Sequence, residues 1–164
     1  MLEAALFALT LAAALGCGLV AGIFFAFSNF VMAALGRLPP DQGVAAMQAI
    51  NVTVLNPGFL SVFLGTGVVG VLAAAGSHAG WGQAGGALIL MASLLYLAGC
   101  IGVTMGFNVP LNEALAALPA EASEASVLWR RYRVDWTFWN HVRTVASAAA
   151  GGLFMVALVL RGVP

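Results

Sequence analysis

The chain has 164 residues, 62% of them hydrophobic and only 7% charged, with six acidic side chains against six arginines and no lysine. A water-soluble domain carries about 25% charged residues to wet its surface, so the solvent around most of this chain is lipid. A net charge of zero leaves no basic footprint, which excludes nucleic acid as a partner.

No charged residue occurs from Ala4 to Gly36, more than the ~20 residues that cross a bilayer, and this run predicts the first span. Within it, Ala14-Leu15-Gly16-Cys17 loosely resembles a lipoprotein cleavage site. Glu3 stands where such a leader is positive, however, and the apolar run continues far past Cys17, so the segment reads as a retained helix. Pro40-Asp41 then opens a short segment through Ile50, with Asp41 as the expected N-cap. Ala45, Ala46, Ala49 and Ile50 give it an apolar side suited to the membrane interface.

The breakers Asn56-Pro57-Gly58 precede a second span, from about Phe59 to Ala75. A short Gly-rich connection, Gly76 to Gly82, makes spans two and three antiparallel neighbours, with His78 as a solvated loop residue. The third span covers about Gly85 to Phe107 and ends at Asn108-Val109-Pro110. Glu121 to Trp139 has the pattern of an amphipathic helix leading into the fourth span, Thr144 to Leu160, closed by Arg161-Gly162. Arg130, Arg131 and Arg133 mark its polar side. Trp129, Tyr132, Trp136 and Trp139 are the aromatic residues expected at headgroup level.

These runs lack the alternation of barrel strands, and a spanning segment must satisfy its backbone internally. The fold class is therefore an all-α membrane protein, one domain over residues 1–164, built as a four-transmembrane-helix bundle. The GxxxG pairs Gly18/Gly22 and Gly102/Gly106, with Gly99 one turn earlier and Gly151 and Gly152 early in the last span, predict close helix packing, within one chain in preference to a homo-oligomer. Cys17 and Cys100 lie in apolar runs as small packing residues. The two long connections hold Arg37, Arg130, Arg131 and Arg133 against Arg161 alone on the other side. The positive-inside rule then places both long connections in the cytoplasm and both termini outside, in the plasma (inner) membrane.

Polar residues in such a chain gather near one membrane face. Asn29, Gln48, Asn51, Asn56, Asn108, Asn112, Asn140, His141 and Arg143 all abut the long connections. Trp136, Asn140, Arg143 and Ser147 follow at i, i+4, i+7 and i+11, one helical stripe, with His141 about 100° round from it. This set predicts one polar pocket, with caps and headgroup contacts as the alternative use of the same residues. No HxxxH, ExxH or CxxC spacing is present, so no metal site is expected.

Several of these segments resemble a known family. Gly22-Ile-Phe-Phe-Ala-Phe-Ser-Asn29-Phe-Val-Met32, Ala46-Met-Gln-Ala-Ile-Asn51, Asn56-Pro57, Asn108-Val-Pro-Leu-Asn112 and Trp136-Thr-Phe-Trp-Asn-His-Val-Arg-Thr144 are similar, in order, to the anthrone oxygenase-like membrane domain. The resemblance implies oxidation of a polyketide anthrone to an anthraquinone. It brings no agreed set of catalytic residues, so roles follow from chemistry. His141 is expected as the base, with Arg143, Asn140 and Asn108 steadying the anionic oxygen. Phe24, Phe27, Trp136 and Trp139 are expected to sandwich the rings, and Asn29 and Asn112 to complete the substrate site. No cofactor is expected, while haem on His141 and a quinone stay open. The expected partners are membrane lipid and a lipophilic small molecule. The alternative is a non-enzymatic protein that holds a lipid, quinone or partner protein in the same pocket.

Overall fold

The computed structural model describes residues 1–78 and 85–161, with only the backbone of His78 and Arg161. Four helices in it are long and apolar enough to cross a membrane. The first span joins α1 (Leu2–Ala26), a π-helical stretch Phe27–Val31 and α2 (Met32–Leu35). The short α3 (Pro40–Thr53) lies between it and the second span, α4 (Pro57–His78). The third span is composite: α5 (Gly86–Tyr96), π-helical turns Leu97–Gly102 and Thr104–Asn108, then α6 (Val109–Ala116). The last is α7 (Ser123–Arg161). The four-helix, all-α expectation holds. Residues 79–84, which carry most of the predicted Gly-rich connection, and residues 162–164 lie outside the described residues.

Boundaries differ from the sequence reading at three places, the first being α4, which takes in Gly76 to His78 where a loop was expected. Span three does not stop at Asn108-Val109-Pro110; it runs on to Ala116, with Pro110 in the first turn of α6. The preceding π-helical turn shifts the carbonyl register, which is how a spanning helix absorbs a residue with no N–H. The amphipathic segment and span four form one helix of 39 residues. At 1.5 Å per residue it is ~58 Å long, against a hydrocarbon core of ~30 Å. Its first half therefore projects from the membrane. At α3, Pro39 occupies the cap position and no side chain caps the helix, so Asp41 lies in the first turn and is not the N-cap.

That projecting half changes the role of its aromatic residues. Trp129, Tyr132 and Trp136 are buried, with Met32, Val44, Met47 and Leu115, in a second core under α3 and α6. They are core residues where headgroup anchors were expected. Gln48 Nε2 donates to the carbonyls of Leu115 (2.8 Å) and Leu118 (3.0 Å), tying α3 to the end of the third span. Ala45 and Ala49 remain on the outer side of α3.

The membrane core gathers Val20, Phe24, Phe63, Ile89, Tyr96 and Phe154 from all four spans. Tyr96 donates to the Phe63 carbonyl at 2.9 Å and Ser93 to that of Gly70 at 2.8 Å, holding span three to span two. Glycine sets the closest helix approaches: a Cβ at Gly99 would lie 2.6 Å from Ala146 Cβ, and one at Gly151 3.2 Å from Cys17 Cβ. Gly99 and Gly151 thus pack as expected, and of the GxxxG pairs Gly18 joins them through its backbone N, 3.8 Å from where a Gly151 Cβ would lie. A Cβ at Gly18, Gly22 or Gly106 would meet nothing, and one at Gly102 only a carbonyl of its own helix. Both cysteines are free and fully buried, as packing residues should be.

Candidate functional site

A cavity of about 650 Å³ opens at the end of the bundle where α3 lies, within the ~300–1,000 Å³ typical of small-molecule pockets. Phe24 and Phe27 of the first span, Asn51 and Leu55 around the end of α3, and Phe59 and Phe63 of α4 line it. So do Thr104 and the α6 residues Val109, Asn112, Glu113 and Ala116, with Trp136 and Arg143 of α7. The lining is largely apolar, with a few convergent polar groups.

Arg143 is the most informative of them. It is 4% exposed, yet no carboxylate pairs with it among the described residues. Its Nη2 donates to Asn140 Oδ1 at 2.8 Å and its Nη1 to Thr104 Oγ1 at 3.3 Å. Its Cζ lies 4.1 Å from the Phe24 ring centroid and 5.0 Å from that of Trp136. Aromatic faces attract a cation but do not neutralise it. Arg143 Nε is buried without a hydrogen-bond partner among the described residues, and Asn51 Nδ2, also buried, has only the neighbouring Tyr132 hydroxyl for company. Both are donors on residues that line the same cavity.

The neighbouring amides are held in known orientations. Asn140, fully buried, donates from Nδ2 to the Phe24 carbonyl and to Ser28 Oγ, both at 2.7 Å. A carbonyl only accepts and a guanidinium only donates, so this orientation is forced. Asn112 Oδ1 accepts from Tyr132 Oη (2.8 Å) and Trp136 Nε1 (2.9 Å), and the indole N–H fixes it likewise. Asn108 donates to the Trp136 carbonyl at 3.2 Å, so it ties α7 to the third span behind the cavity wall.

Of the ten residues proposed from sequence, Phe24, Phe27, Asn112, Trp136 and Arg143 line the cavity. Asn140 braces Arg143, and Asn108 braces the wall. The other three are placed elsewhere. His141 is exposed on the outer face of α7, along with Phe138 and Val145. One residue is 100° of helix, so a stripe that buries Asn140 and Arg143 turns His141 outward. Asn29 is exposed on the first span, beside exposed Phe30. Trp139 is half-buried and stacks on Phe107 at 3.6 Å, away from the cavity.

Sequence reading left Glu113 out, because the segment after Pro110 read as a connection. The available signal was spacing: Val109, Asn112, Glu113 and Ala116 fall at i, i+3, i+4 and i+7, one helix face. Gln48 and Asn51, placed in the polar group but given no role, also line the cavity. Among the described residues, no three His, Cys, Asp or Glu side chains gather as a metal-ligating group.

Fold and site together define a small multi-pass membrane protein with a buried cation in the wall of an apolar pocket. The family model described as Anthrone oxygenase matches residues 57–153, which takes in spans two and three and most of span four. The chain belongs to that family. Among curated proteins, the vesicle-trafficking protein SEC22b-B of Danio rerio is 43% identical over 49 residues, 30% of this chain and 23% of that protein. The chain thus spans under a quarter of that relative's length. No solved structure matches.

Proposed function

We propose that the cavity takes a flat, lipophilic phenol of the anthrone class, and that the protein oxidises its methylene with dioxygen. The observation that carries this reading is Arg143, a buried guanidinium with no carboxylate partner on the wall of an apolar cavity. Desolvation makes such a cation costly, and an anion arriving with the ligand offsets that cost. Loss of one methylene proton turns an anthrone into an enolate whose charge rests on oxygen. Arg143 would hold that oxygen, with the amide hydrogens of Asn51 and Asn112 as further donors. Phe24, Phe27 and Trp136 would cover the ring faces. Family membership supports the reaction class.

A binding protein for an anionic lipid or a quinone is the second reading, favoured by exposed Leu64 and Met105 at the cavity rim, which face lipid. The two separate in one experiment. Purified protein in mild detergent is given an anthrone with a hydroxyl beside its carbonyl, and oxygen consumption is followed with quinone absorbance. The oxidation reading expects turnover above background, and a fall of about 10²–10³ in Arg143→Gln. Saturable binding without oxygen uptake would establish the second reading in its place.

A further inference from the structure

The oxidation reading needs a base, and His141, the residue expected from sequence, is exposed on the outer face of α7. The side chains lining the cavity are mostly hydrocarbon, with the amides of Gln48, Asn51 and Asn112, the hydroxyl of Thr104 and two ionisable groups, Arg143 and Glu113. A guanidinium does not take a proton from carbon. We propose that Glu113 is the catalytic base that removes the substrate's methylene proton; this rests on the oxidation reading above.

Geometry supports the assignment. Asn112 is clamped by Tyr132 and Trp136, so the face of α6 that carries Val109, Asn112, Glu113 and Ala116 is held toward the cavity. Thr104, which touches Arg143, lies nine residues before Glu113, or ~13 Å along the helix axis. Helical side chains lean toward their own N-terminus. Glu113 therefore leans inward toward the depth of Thr104. Arg143, on an antiparallel helix, leans outward over Trp136. Both groups line the cavity of about 650 Å³ and form no ion pair with each other, so a ligand can lie against both. Glu113 is also exposed at the mouth, where a captured proton can pass to water.

The steps balance with dioxygen as the oxidant. The Glu113 carboxylate takes one methylene proton, and the C–H electron pair moves to the ring oxygen as an enolate beside Arg143. The enolate gives one electron to dioxygen, and the resulting radical and superoxide join in a C–O bond. Protonated Glu113 returns its proton to the terminal peroxide oxygen. The carboxylate then takes the second hydrogen while the O–O bond breaks. The carbon becomes a carbonyl, and the departing hydroxide leaves with that proton as water.

The test separates proton removal from oxidation. Anthrone is incubated anaerobically in D2O with detergent-purified protein, and exchange of its methylene hydrogens is read by mass spectrometry. Oxygen uptake is measured in parallel, and binding by quenching of tryptophan fluorescence. Glu113→Gln is expected to bind within about threefold of wild type, because the amide keeps the shape, while exchange and uptake both fall about 10²- to 10⁴-fold. Glu113→Asp should retain more of both than Glu113→Gln, and alkaline buffer should restore much of the Gln variant's uptake. If wild type turns over and Glu113→Gln stays within tenfold of it, Glu113 is not the base. If wild type binds the anthrone but neither exchanges nor oxidises it, the oxidation reading fails and takes this assignment with it.

Discussion

Replacing Arg143 by methionine removes a buried cation while keeping a long side chain in its place. Two losses follow. The bonds to Asn140 (2.8 Å) and Thr104 (3.3 Å) disappear, and Asn140 Oδ1 loses its donor, at a cost of about 1–3 kcal/mol. The contacts with the Phe24 and Trp136 rings forfeit about 0.5–2 kcal/mol. Against these stands the desolvation penalty of an ion with no counter-charge, on the order of several kcal/mol. The opposing terms are of similar size, so Arg143→Met should unfold within about 1 kcal/mol of wild type. A structural arginine behaves differently, since breaking a compensated buried network costs about 3–5 kcal/mol. The assay is thermal unfolding in detergent, with and without a phenolate ligand. Ligand at a hundred times its Kd should stabilise wild type by about 2.7 kcal/mol and leave the Met variant unmoved. Destabilisation by more than about 3 kcal/mol without ligand, or equal ligand stabilisation of both proteins, would refute the reasoning.

His141→Ala should fold normally and keep oxygen uptake within a few-fold of wild type, because the imidazole lies outside the cavity; a loss above about 10²-fold would restore it as the base. Gly99→Ala should destabilise by about 1–3 kcal/mol in thermal unfolding, since the new methyl meets Ala146. Gly106→Ala, in open space, should be neutral or stabilising by up to about 1 kcal/mol. Equal effects at the two glycines would contradict the packing described. In a background without Cys17 and Cys100, cysteines at Gln83 and Ser123 should react from opposite sides of sealed cells, with Ser123 cytoplasmic if the arginine bias sets the orientation. Labelling of both from one side contradicts four spans, whereas reversed sides contradict only the orientation.

The sequence alone determined how many helices cross the membrane and where their polar residues gather. Lipid imposes both: it demands long uninterrupted apolar helices, and it makes every amide or charge within them conspicuous. The stripe Trp136, Asn140, Arg143 and Ser147 was legible for the same reason, and all four residues are buried. Which face of each apolar helix turns inward was not legible. In water, a buried face differs from a wetted one in hydrophobicity, and helical periodicity reveals it. In lipid both faces are apolar, so Gly22, Gly106, Gly99 and Gly151 look alike as packing residues, and yet the first two have open space beside them while Gly99 and Gly151 make the contacts. Only the tertiary structure decided that Asn29 and His141 lie outside the cavity. It alone folded α3 over Trp129, Tyr132 and Trp136 to make a second core, and carried the third span past Pro110 so that Glu113 and Arg143 line the same pocket. Those placements depend on helix rotation and on π-helical turns, which cross-chain packing sets and local sequence does not.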